Sequence, residues 1–462
     1  MKSVINHCRH RVTANRIIVS RIMAFASLLL LAGIITVPSD VSAHQMADYT
    51  GMVFPPDHAL NMPIDSLPVH PNSDNYIASI GRTTSLHPDF GTSWNDGGKD
   101  YQMGIPYNIV GAGQPLVPIS FDYDDESDPG PWPIPQNPFI ETVFDWREQD
   151  EGDRHLLIVD SSAGVLYEAW NSWGNESGTS WEAGSGAKFD LKGYTLRPDE
   201  WTSADAAGLP IFPLLIRYDE VERALAEEGE VHHAIRFTAS GTQKAYVWPA
   251  RHLASSSTDK NRPPMGLRFR MKTEVDISGY SPRMQVILRT MKKYGLIMSD
   301  NGGNWFFQGT HDDRWDDEEI NTLKKLRGSD FEAVDISPWT SRPGFDPNSG
   351  KVPPAPGATT AKPRGIHFEN GCEVRRNRSG NSAASITVSF YQIQGGHTTI
   401  RVYDAYGRVA ATLIDAIISS GRQTIGWNGR NRAGKMIGQG TFIVQLRQPG
   451  GEMTAVPVPM VR

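Results

Sequence analysis

Cysteine is almost absent from this chain. Its 462 residues include two cysteines, Cys8 and Cys372. One pair is too few for a disulfide framework, and it is also too few for a cysteine zinc cluster. We expect Cys372 to be buried and inert, so a thiol-based catalytic site is not indicated.

Long apolar runs are also scarce. The most apolar stretch, residues 23–37, is shorter than the roughly 18 to 20 residues that span a bilayer. It follows a basic N-terminal region and precedes the small-residue sequence Val41-Ser42-Ala43. This order is typical of a secretory signal peptide. We therefore expect residues 1–43 to be a signal peptide cleaved near Ala43, and the mature protein to be secreted or at the cell surface.

Several motifs of common enzyme classes are missing as well. The chain has no G-x-G-x-x-G, no P-loop, no G-x-S-x-G and no H-E-x-x-H sequence. Nucleotide binding, the serine-hydrolase elbow and a zincin-type zinc site are therefore unsupported.

The charge is distributed unevenly. Residues 44–365 carry 29 Lys and Arg against 46 Asp and Glu, a net charge of −17, whereas residues 366–462 carry 11 against 5, a net charge of +6. An acidic body repels polyanions, which argues against nucleic acid as a partner. Neutral glycans, peptides and cations are compatible with this charge as ligands.

Composition divides the chain into four parts. After the signal peptide, residues 44–340 form an acidic body in which short strands alternate with turns and few helices, and residues 341–365 are rich in Pro, Gly, Ser and Thr. We expect a mostly-β body, a β-sandwich or jelly roll with a few outer helices, and then an extended linker. Residues 366–462, with short strands at close spacing, predict a small β-sandwich.

The last part of the chain carries a resemblance. Ile400-Arg401-Val402-Tyr403-Asp404, Gly426-Trp427-Asn428-Gly429-Arg430 and Gly438-Gln439-Gly440-Thr441-Phe442 follow one another in order. Over residues 385–447 the chain resembles the flagellar-hook-capping-type Ig-like domain, which recurs as a C-terminal tail in the manner of type IX secretion sorting domains. The resemblance implies an Ig-like fold and a partner in the export or outer-membrane sorting machinery. It implies no catalytic residue.

The body resembles a group of uncharacterised exported bacterial proteins. The shared blocks are Leu-His-Pro-Asp-Phe-Gly-Thr (86–92), Asp-Glu-Ser-Asp-Pro-Gly-Pro (125–131), Asp-Arg-His (153–155) and Tyr-Val-Trp-Pro-Ala-Arg-His (246–252). We know of no activity for that group, so the resemblance implies none.

Residues 122–135 are the most unusual stretch of the body. Four Asp and one Glu occur within seven residues, and four prolines follow around Trp132. Carboxylates beside a stiff loop suit either a Ca²⁺ site or a pair of acids for general acid/base work. A solvated acidic turn is the alternative.

Acid/base residues are predicted from this stretch and from the hairpin that follows it. We expect Glu126 and Glu168 to form the acid and nucleophile of a glycosidase-type pair, tuned by Asp128 and Asp153. His155 begins the hairpin strand opposite Glu168. All five side chains are predicted to converge, because consecutive strands are usually neighbours.

Further candidates are binding residues. His87, His155 and His252 each lie near an Asp or Arg, and with Asp128 or Asp153 they could build a mixed metal site of unknown identity. No H-E-x-x-H or comparable spacing supports such a site. Trp132 and Trp170 are expected to stack on sugar rings, and Arg251 belongs to the last shared block.

Two functions of different classes follow. The first is an exported carbohydrate-active protein, a glycoside hydrolase on a neutral extracellular glycan that uses paired carboxylates. The alternative is a non-catalytic cell-surface glycan-binding or adhesive protein in which the acidic stretch holds a structural Ca²⁺. An enzyme requires two carboxylates that face each other in a cleft, whereas a binder requires a flat aromatic platform.

Overall fold

The computed structural model describes residues 45–150, 152–227 and 229–355 of the body. In the tail it describes residues 365–367, 373–377, 385–392, 396–404, 408–418, 421–431, 435–436, 440–447 and 453–460. The expected signal peptide and both cysteines lie outside the described residues. Within these ranges no helix has the length and apolar character needed to cross a bilayer.

The described body is built mainly from short strands, with a few helices. Its helices are α1 (Ser73–Ile80), α2 (Tyr218–Ala226), α3 (Pro282–Lys293), α4 (Asp317–Asn321) and α5 (Ser337–Thr340). Its strands are β1 (His87–Asp89), β2 (Ser93–Asp96), β3 (Lys99–Gln102), β4 (Asn108–Val110), β5 (Ile119–Phe121), β6 (Leu156–Asp160), β7 (Val165–Trp170), β8 (Trp173–Gly174), β9 (Trp181–Ala183), β10 (Ser185–Asp190), β11 (Ile235–Ala239), β12 (Arg268–Met271), β13 (Leu296–Asn301), β14 (Phe306–Gln308) and β15 (Phe331–Val334). The predicted mostly-β class is confirmed.

A six-stranded mixed sheet in the order β1-β14-β11-β13-β12-β15 contributes to the main core. Helix α3 packs into the same core through Met284, Ile287 and Met291. Ser281 caps this helix by accepting a hydrogen bond from the Met284 N–H. Gly295 ends it with a φ of 70°, where an added Cβ would lie 2.1 Å from the Phe269 carbonyl oxygen.

A four-stranded sheet in the order β10-β7-β6-β4 forms the second part of the body. The predicted hairpin is confirmed, because β6 pairs antiparallel with β7 from Leu156 opposite Ala169 to Asp160 opposite Val165. A three-stranded sheet of β5, β9 and β8 shares a separate apolar core with it.

Residues 76–80 lie in helix α1, where Tyr76, Ile77 and Ile80 bury one helical face. One expectation differs from the structure in the expected linker, where residues 341–355 pack against the body. Gly350 donates its N–H to Tyr194, and Val352 is buried. The rest of the expected linker, residues 356–364, lies outside the described residues.

The tail contains two four-stranded antiparallel sheets, in the orders β16-β17-β18-β21 and β20-β19-β22-β23. Their strands are β16 (Gly365–His367), β17 (Glu373–Asn377), β18 (Ser385–Gln392), β19 (Gly396–Tyr403), β20 (Val409–Ile418), β21 (Gly421–Trp427), β22 (Gly440–Arg447) and β23 (Met453–Met460). Residues of both sheets share one apolar core, including Val388 of β18 and Val402 of β19. The predicted small β-sandwich is confirmed.

Candidate functional site

One buried segment, residues 197–212, organises the chemistry of the body. Most of its residues from Ser203 onward are buried, although the segment is largely irregular. A buried loop must have its backbone N–H and C=O groups satisfied by side chains or by other backbone groups. Most of the site residues predicted from the sequence bond to this segment, which we call the junction segment.

Glu126 and Asp128 hold the start of the junction segment. The Glu126 carboxylate accepts a hydrogen bond of 3.0 Å from the Thr202 N–H. Asp128 forms an ion pair with Arg197 and accepts a 2.8 Å hydrogen bond from the Lys188 N–H of β10. The acidic stretch thus anchors a loop through both residues.

Glu168 holds the end of the junction segment. Its carboxylate is fully buried and accepts hydrogen bonds of 2.7–3.0 Å from the N–H groups of Ile211 and Phe212. Burial raises the pKa of Glu168 to about 7, although the two backbone donors oppose the shift. A substrate cannot reach this carboxylate without rearrangement of the core. The expected nucleophile role is therefore not supported by its position.

Arg251 and His252 bond to the same segment from another side. Arg251 donates to the Arg197 carbonyl at 2.9 Å, and His252 Nδ1 lies 2.8 Å from the Ala206 carbonyl oxygen. Arg251 also donates to the Pro347 carbonyl, which ties residues after α5 to the body. Both side chains therefore hold the junction segment, which does not support the expected ligand-binding role of either residue.

His155 forms a buried ion pair with Glu141. Nδ1 of His155 lies 2.5 Å from Oε2 of Glu141, and Nε2 lies 3.1 Å from the Ala204 carbonyl oxygen in the junction segment. Burial alone would lower the pKa of His155, but the Glu141 carboxylate outweighs it and raises the pKa to about 9. His155 therefore carries a positive charge beside the junction segment.

The aromatic candidates separate into a core residue and a half-buried one. Trp132 is fully buried, which contradicts the expectation that it stacks on a sugar ring. Its ring packs near Phe121 and Tyr167, and a Cβ added at Gly186 would lie 2.6 Å from it. The missing side chain of Gly186 thus makes room for the indole.

Trp170 is partly exposed at the end of β7, and its Nε1 lies 3.3 Å from Oδ1 of the exposed Asp153. His87 lies elsewhere, with its ring stacked on Phe306 at 3.9 Å. Burial, and then the charge of Lys324, lowers the pKa of His87, so this residue packs as a neutral ring.

The six-stranded sheet carries a row of polar side chains that the sequence did not predict. Asp89, Gln308, Arg236 and Asp300 lie on β1, β14, β11 and β13, which are neighbours in that order. Gln308 donates to Asp89 at 3.3 Å, Arg236 donates to the Gln308 side-chain oxygen, and Arg236 lies 4.0 Å from Asp300. We call these four residues the polar row.

A β-bulge places Asp300 in the polar row. Phe237 pairs with Met298, but Thr238 pairs with Asp300, so Ser299 is passed over in the register. In a regular ladder Asp300 would project from the opposite face, because side chains alternate along a strand. The Ser299 carbonyl accepts a hydrogen bond from the Ala207 N–H of the junction segment. The bulge therefore joins the sheet to the loop and turns Asp300 toward Arg236.

Asp205 connects the polar row to the junction segment. Its side chain is fully buried, and Arg236 Nε donates to its Oδ2 at 3.2 Å. Its other oxygen has no hydrogen-bond partner among the described residues. Burial raises the pKa of Asp205, and Arg236 opposes that shift.

Both outer carboxylates of the polar row, Asp300 and Asp89, have raised pKa values. Burial, and then the charge of Asp205, raises the pKa of Asp300 to about 7. Burial raises the pKa of Asp89 as well, and the carboxylates of Glu141 and Asp153 add to the shift. Asp89 therefore lies in the field of the Glu141 and Asp153 carboxylates. We call the polar row together with Glu141, Asp153, His155 and Asp205 the carboxylate cluster.

Glu141, Asp153 and His155 also have the composition of a metal site. One ligand atom of each lies within 4.8 Å of the others. However, both nitrogens of His155 face oxygen acceptors, so the ring donates two hydrogen bonds and has no lone pair to offer. A cation there would have to displace the Nδ1 proton, so the arrangement favours an ion pair over a metal centre.

The chain was compared with known proteins. No known family and no curated protein matches it. Solved structures similar to part of it include FlgD from P. aeruginosa, with 19% identity, a TM-score of 0.14 and coverage of 16% of this chain and 61% of that one. FlgD from Xanthomonas campestris, described in connection with the hook capping that is essential for flagellar assembly, is 18% identical, with a TM-score of 0.14 and coverage of 16% of this chain and 59% of that one.

The chain thus spans about three fifths of the length of these two FlgD proteins. They belong to the family that residues 385–447 resemble. At this TM-score the likeness gives weak support to an Ig-like or FlgD-like resemblance and carries no argument about function.

The expected convergence holds for part of the predicted set. Glu168 shares the electrostatic environment of His155 and Asp205, and Asp153 lies beside His155, while Glu126 and Asp128 bond to Thr202 and Arg197. The sequence assigned no site role to six residues of the cluster: Asp89, Glu141, Asp205, Arg236, Asp300 and Gln308. A usable signal was Arg236, the one charged residue within strand β11.

The carboxylate cluster combines groups suited to acid/base chemistry. The pKa values of Asp89 and Asp300 are raised, Asp153 is exposed, and Arg236 and His155 supply positive charges. Acid and base roles are separated when environments push the pKa values of neighbouring groups apart.

Proposed function

We propose that this protein is an exported carbohydrate-active enzyme, a glycoside hydrolase that acts on a neutral glycan through the carboxylate cluster. The observation that carries the proposal is the meeting of Asp89, Glu141 and Asp153 around two buried cations, next to the half-exposed ring of Trp170. This replaces the pair of Glu126 and Glu168, which hold the junction segment.

In this proposal Asp89 is the general acid. Its pKa is raised by burial and by the neighbouring Glu141 and Asp153 carboxylates, which is the direction that a general acid requires. Gln308 donates to one Asp89 oxygen at 3.3 Å and so restricts the orientation of the carboxyl group. The proposal assigns proton transfer to the other oxygen.

Asp153 is the second carboxylate in the proposal. It is exposed, and the Trp170 indole N–H contacts it at 3.3 Å. Glycosidases pair a protonated carboxyl group with a second carboxylate that acts as nucleophile or activates water. The ring of Trp170 rests against Gly184, where an added Cβ would lie 2.3 Å from it, so the indole is held as a platform beside Asp153. An aromatic platform of this kind suits the apolar face of a pyranose.

The experiment measures cleavage of neutral oligosaccharides by the purified mature chain. Xylohexaose, cellohexaose, maltohexaose and mannohexaose serve as substrates, and products are separated by chromatography. We expect cleavage of at least one of them, and a loss of about 100-fold or more in kcat for Asp89→Asn and for Asp153→Asn, since each removes a reacting group.

Asp125→Asn is the matched control, because Asp125 is an exposed residue of the acidic stretch. It should cleave like the wild type. Unchanged cleavage by Asp89→Asn and Asp153→Asn would overturn the proposal. Binding of a glycan without cleavage would instead favour the non-catalytic glycan-binding protein.

Export is also proposed. It is motivated by the basic and apolar N-terminal sequence and by the FlgD-like tail, which would engage the sorting machinery. N-terminal sequencing of the secreted protein should begin near His44, and removal of residues 366–462 should reduce its amount outside the cell. Full secretion of the truncated chain would separate the tail from export.

A further inference from the structure

The hairpin of β2 and β3 presents an exposed aromatic pair. Trp94 of β2 lies opposite Tyr101 of β3, and their rings stack with centroids 4.8 Å apart and an interplanar angle of 23°. Trp94 is 48% exposed, and it is the one tryptophan among the described residues that has so much of its surface in solvent. An indole is usually buried because of its large apolar surface, so this exposure requires an explanation.

The hairpin is held rigidly, so the exposure of Trp94 does not come from a loose loop. Lys99 forms ion pairs of 2.9 Å with Glu148 and 2.6 Å with Asp150. Asn95 donates to Asp100 across the strands at 2.7 Å. Gly97 and Gly98, at φ values of 60° and 91°, form the tight turn that keeps the strands paired.

The base of the hairpin is continuous with the carboxylate cluster. Gly91, two residues after Asp89, donates its N–H to the Met103 carbonyl, and Met103 donates back to Thr92. On the other strand Gln102 donates its backbone N–H to Thr142, the neighbour of Glu141. One strand of the hairpin is therefore joined to the chain next to Asp89, and the other to the chain next to Glu141.

We propose that the β2–β3 hairpin is a saccharide-binding subsite next to the carboxylate cluster. The Trp94 ring is the platform for one pyranose unit of a neutral oligosaccharide, and Tyr101 supports that ring from behind. Asp96 and Lys99, the next register pair on the same face of the hairpin, offer polar groups for sugar hydroxyls. The inference rests on the proposed function and adds the place where the glycan chain extends from the reacting carboxylates.

Charge favours a neutral glycan over a charged one at this subsite. The single cation of the hairpin, Lys99, is already paired with two carboxylates, and Asp96 and Asp100 leave the hairpin net acidic. An acidic polysaccharide would be repelled. A neutral sugar offers hydroxyls to the polar groups and an apolar ring face to the indole.

The test measures binding of the full mature chain to soluble neutral polysaccharides by affinity electrophoresis. Arabinoxylan, hydroxyethyl cellulose, glucomannan and starch are the probes. We expect the wild type to bind at least one probe and Trp94→Ala to bind it roughly tenfold more weakly, because a stacked aromatic contact is lost. Trp94→Phe should keep most of the affinity, since a flat ring remains. Tyr101→Ala should weaken binding because Trp94 loses its support.

Tyr123→Ala is the control, because Tyr123 is 53% exposed but lies in the acidic stretch rather than on the hairpin. It should bind like the wild type, and each variant should keep its midpoint of thermal unfolding within a few degrees. Wild-type affinity in Trp94→Ala would overturn the subsite, as would failure of the wild type to bind all four probes.

Cleavage of the matching oligosaccharide distinguishes this inference from the proposed function. If the wild type cleaves and Trp94→Ala cleaves with an unchanged KM, the subsite is wrong and the hydrolase stands. If binding depends on Trp94 and no probe is cleaved, the subsite stands and the hydrolase is wrong.

Discussion

His155 donates a hydrogen bond from Nδ1 to the Glu141 carboxylate at 2.5 Å. Its other ring nitrogen faces the Ala204 carbonyl oxygen at 3.1 Å, so both nitrogens carry protons. The imidazolium lies in the interior of the body, where its charge is compensated by Glu141. It fixes the position of the junction segment from which Asp205 reaches Arg236. The ion pair therefore links the hairpin β6–β7 to the polar row.

The stability of this ion pair should depend on pH. The pKa of His155 is raised from 6.5 to about 9. The stabilisation is therefore fully present below about pH 6.5, and it is lost as the pH rises through about 9. The difference in unfolding free energy between the wild type and His155→Gln should shrink by on the order of 3 kcal/mol between pH 6 and pH 10. Denaturant unfolding at both pH values measures it.

His397→Gln is the control for this prediction, because His397 is an exposed residue of the tail. Its difference from the wild type should stay constant over the same range. A constant difference for His155→Gln would show that the buried ring is neutral.

Glu168→Gln should change the pH dependence of stability in a defined direction. The pKa of Glu168 is raised from 4.5 to about 7, mainly by burial. Its contribution to stability is present below about pH 4.5, and it is lost as the pH rises through about 7. The variant has no ionisable group at this position. Its free energy of unfolding should therefore rise relative to that of the wild type by about 2–3 kcal/mol between pH 4.5 and pH 8.

Thermal unfolding of both proteins across that range provides the measurement. Glu182→Gln, an exposed residue of β9, is the control and should follow the wild type. Parallel curves for Glu168→Gln and the wild type would contradict the raised pKa.

Arg236→Met should strongly destabilise the body. Arg236 and Asp205 are both buried, so removal of the cation leaves an unpaired carboxylate in the interior. A loss of about 3–5 kcal/mol is expected, and Asp205→Asn in the same chain should restore part of it. Arg82→Met removes an exposed pair with Asp74 and should cost less than about 1 kcal/mol. Equal losses in the two single variants would refute the burial of the Arg236 pair.

Trp132→Ala and Trp170→Ala should have different effects. Trp132 is fully buried, so its removal should cost about 3–5 kcal/mol of stability in denaturant unfolding. Trp170 is partly exposed beside Asp153, and its removal should cost less stability but reduce glycan cleavage. The opposite order of stability losses would show that Trp132 lies at the surface.

Local sequence patterns determined several elements. The alternation on either side of the turn at residues 161–164 specified the β6–β7 hairpin, and Ser281 with Gly295 marked the two ends of α3. The spacing of apolar residues in the tail specified strands such as Gly440–Arg447. These features depend on neighbours in the chain, because caps, turns and strand alternation are formed by residues a few positions apart.

Tertiary structure alone decided the carboxylate cluster. Asp300 faces Arg236 because of the bulge at Ser299, which follows from the pairing of β11 with β13 and leaves no mark in the local sequence. Trp132 is buried because Gly186, 54 positions later, leaves room for its ring. The face on which a side chain lies, and the surface that covers it, are set by strand register and by packing between distant segments. The sequence by itself therefore indicated carboxylates and aromatic residues of the right kind, and the fold selected which of them meet.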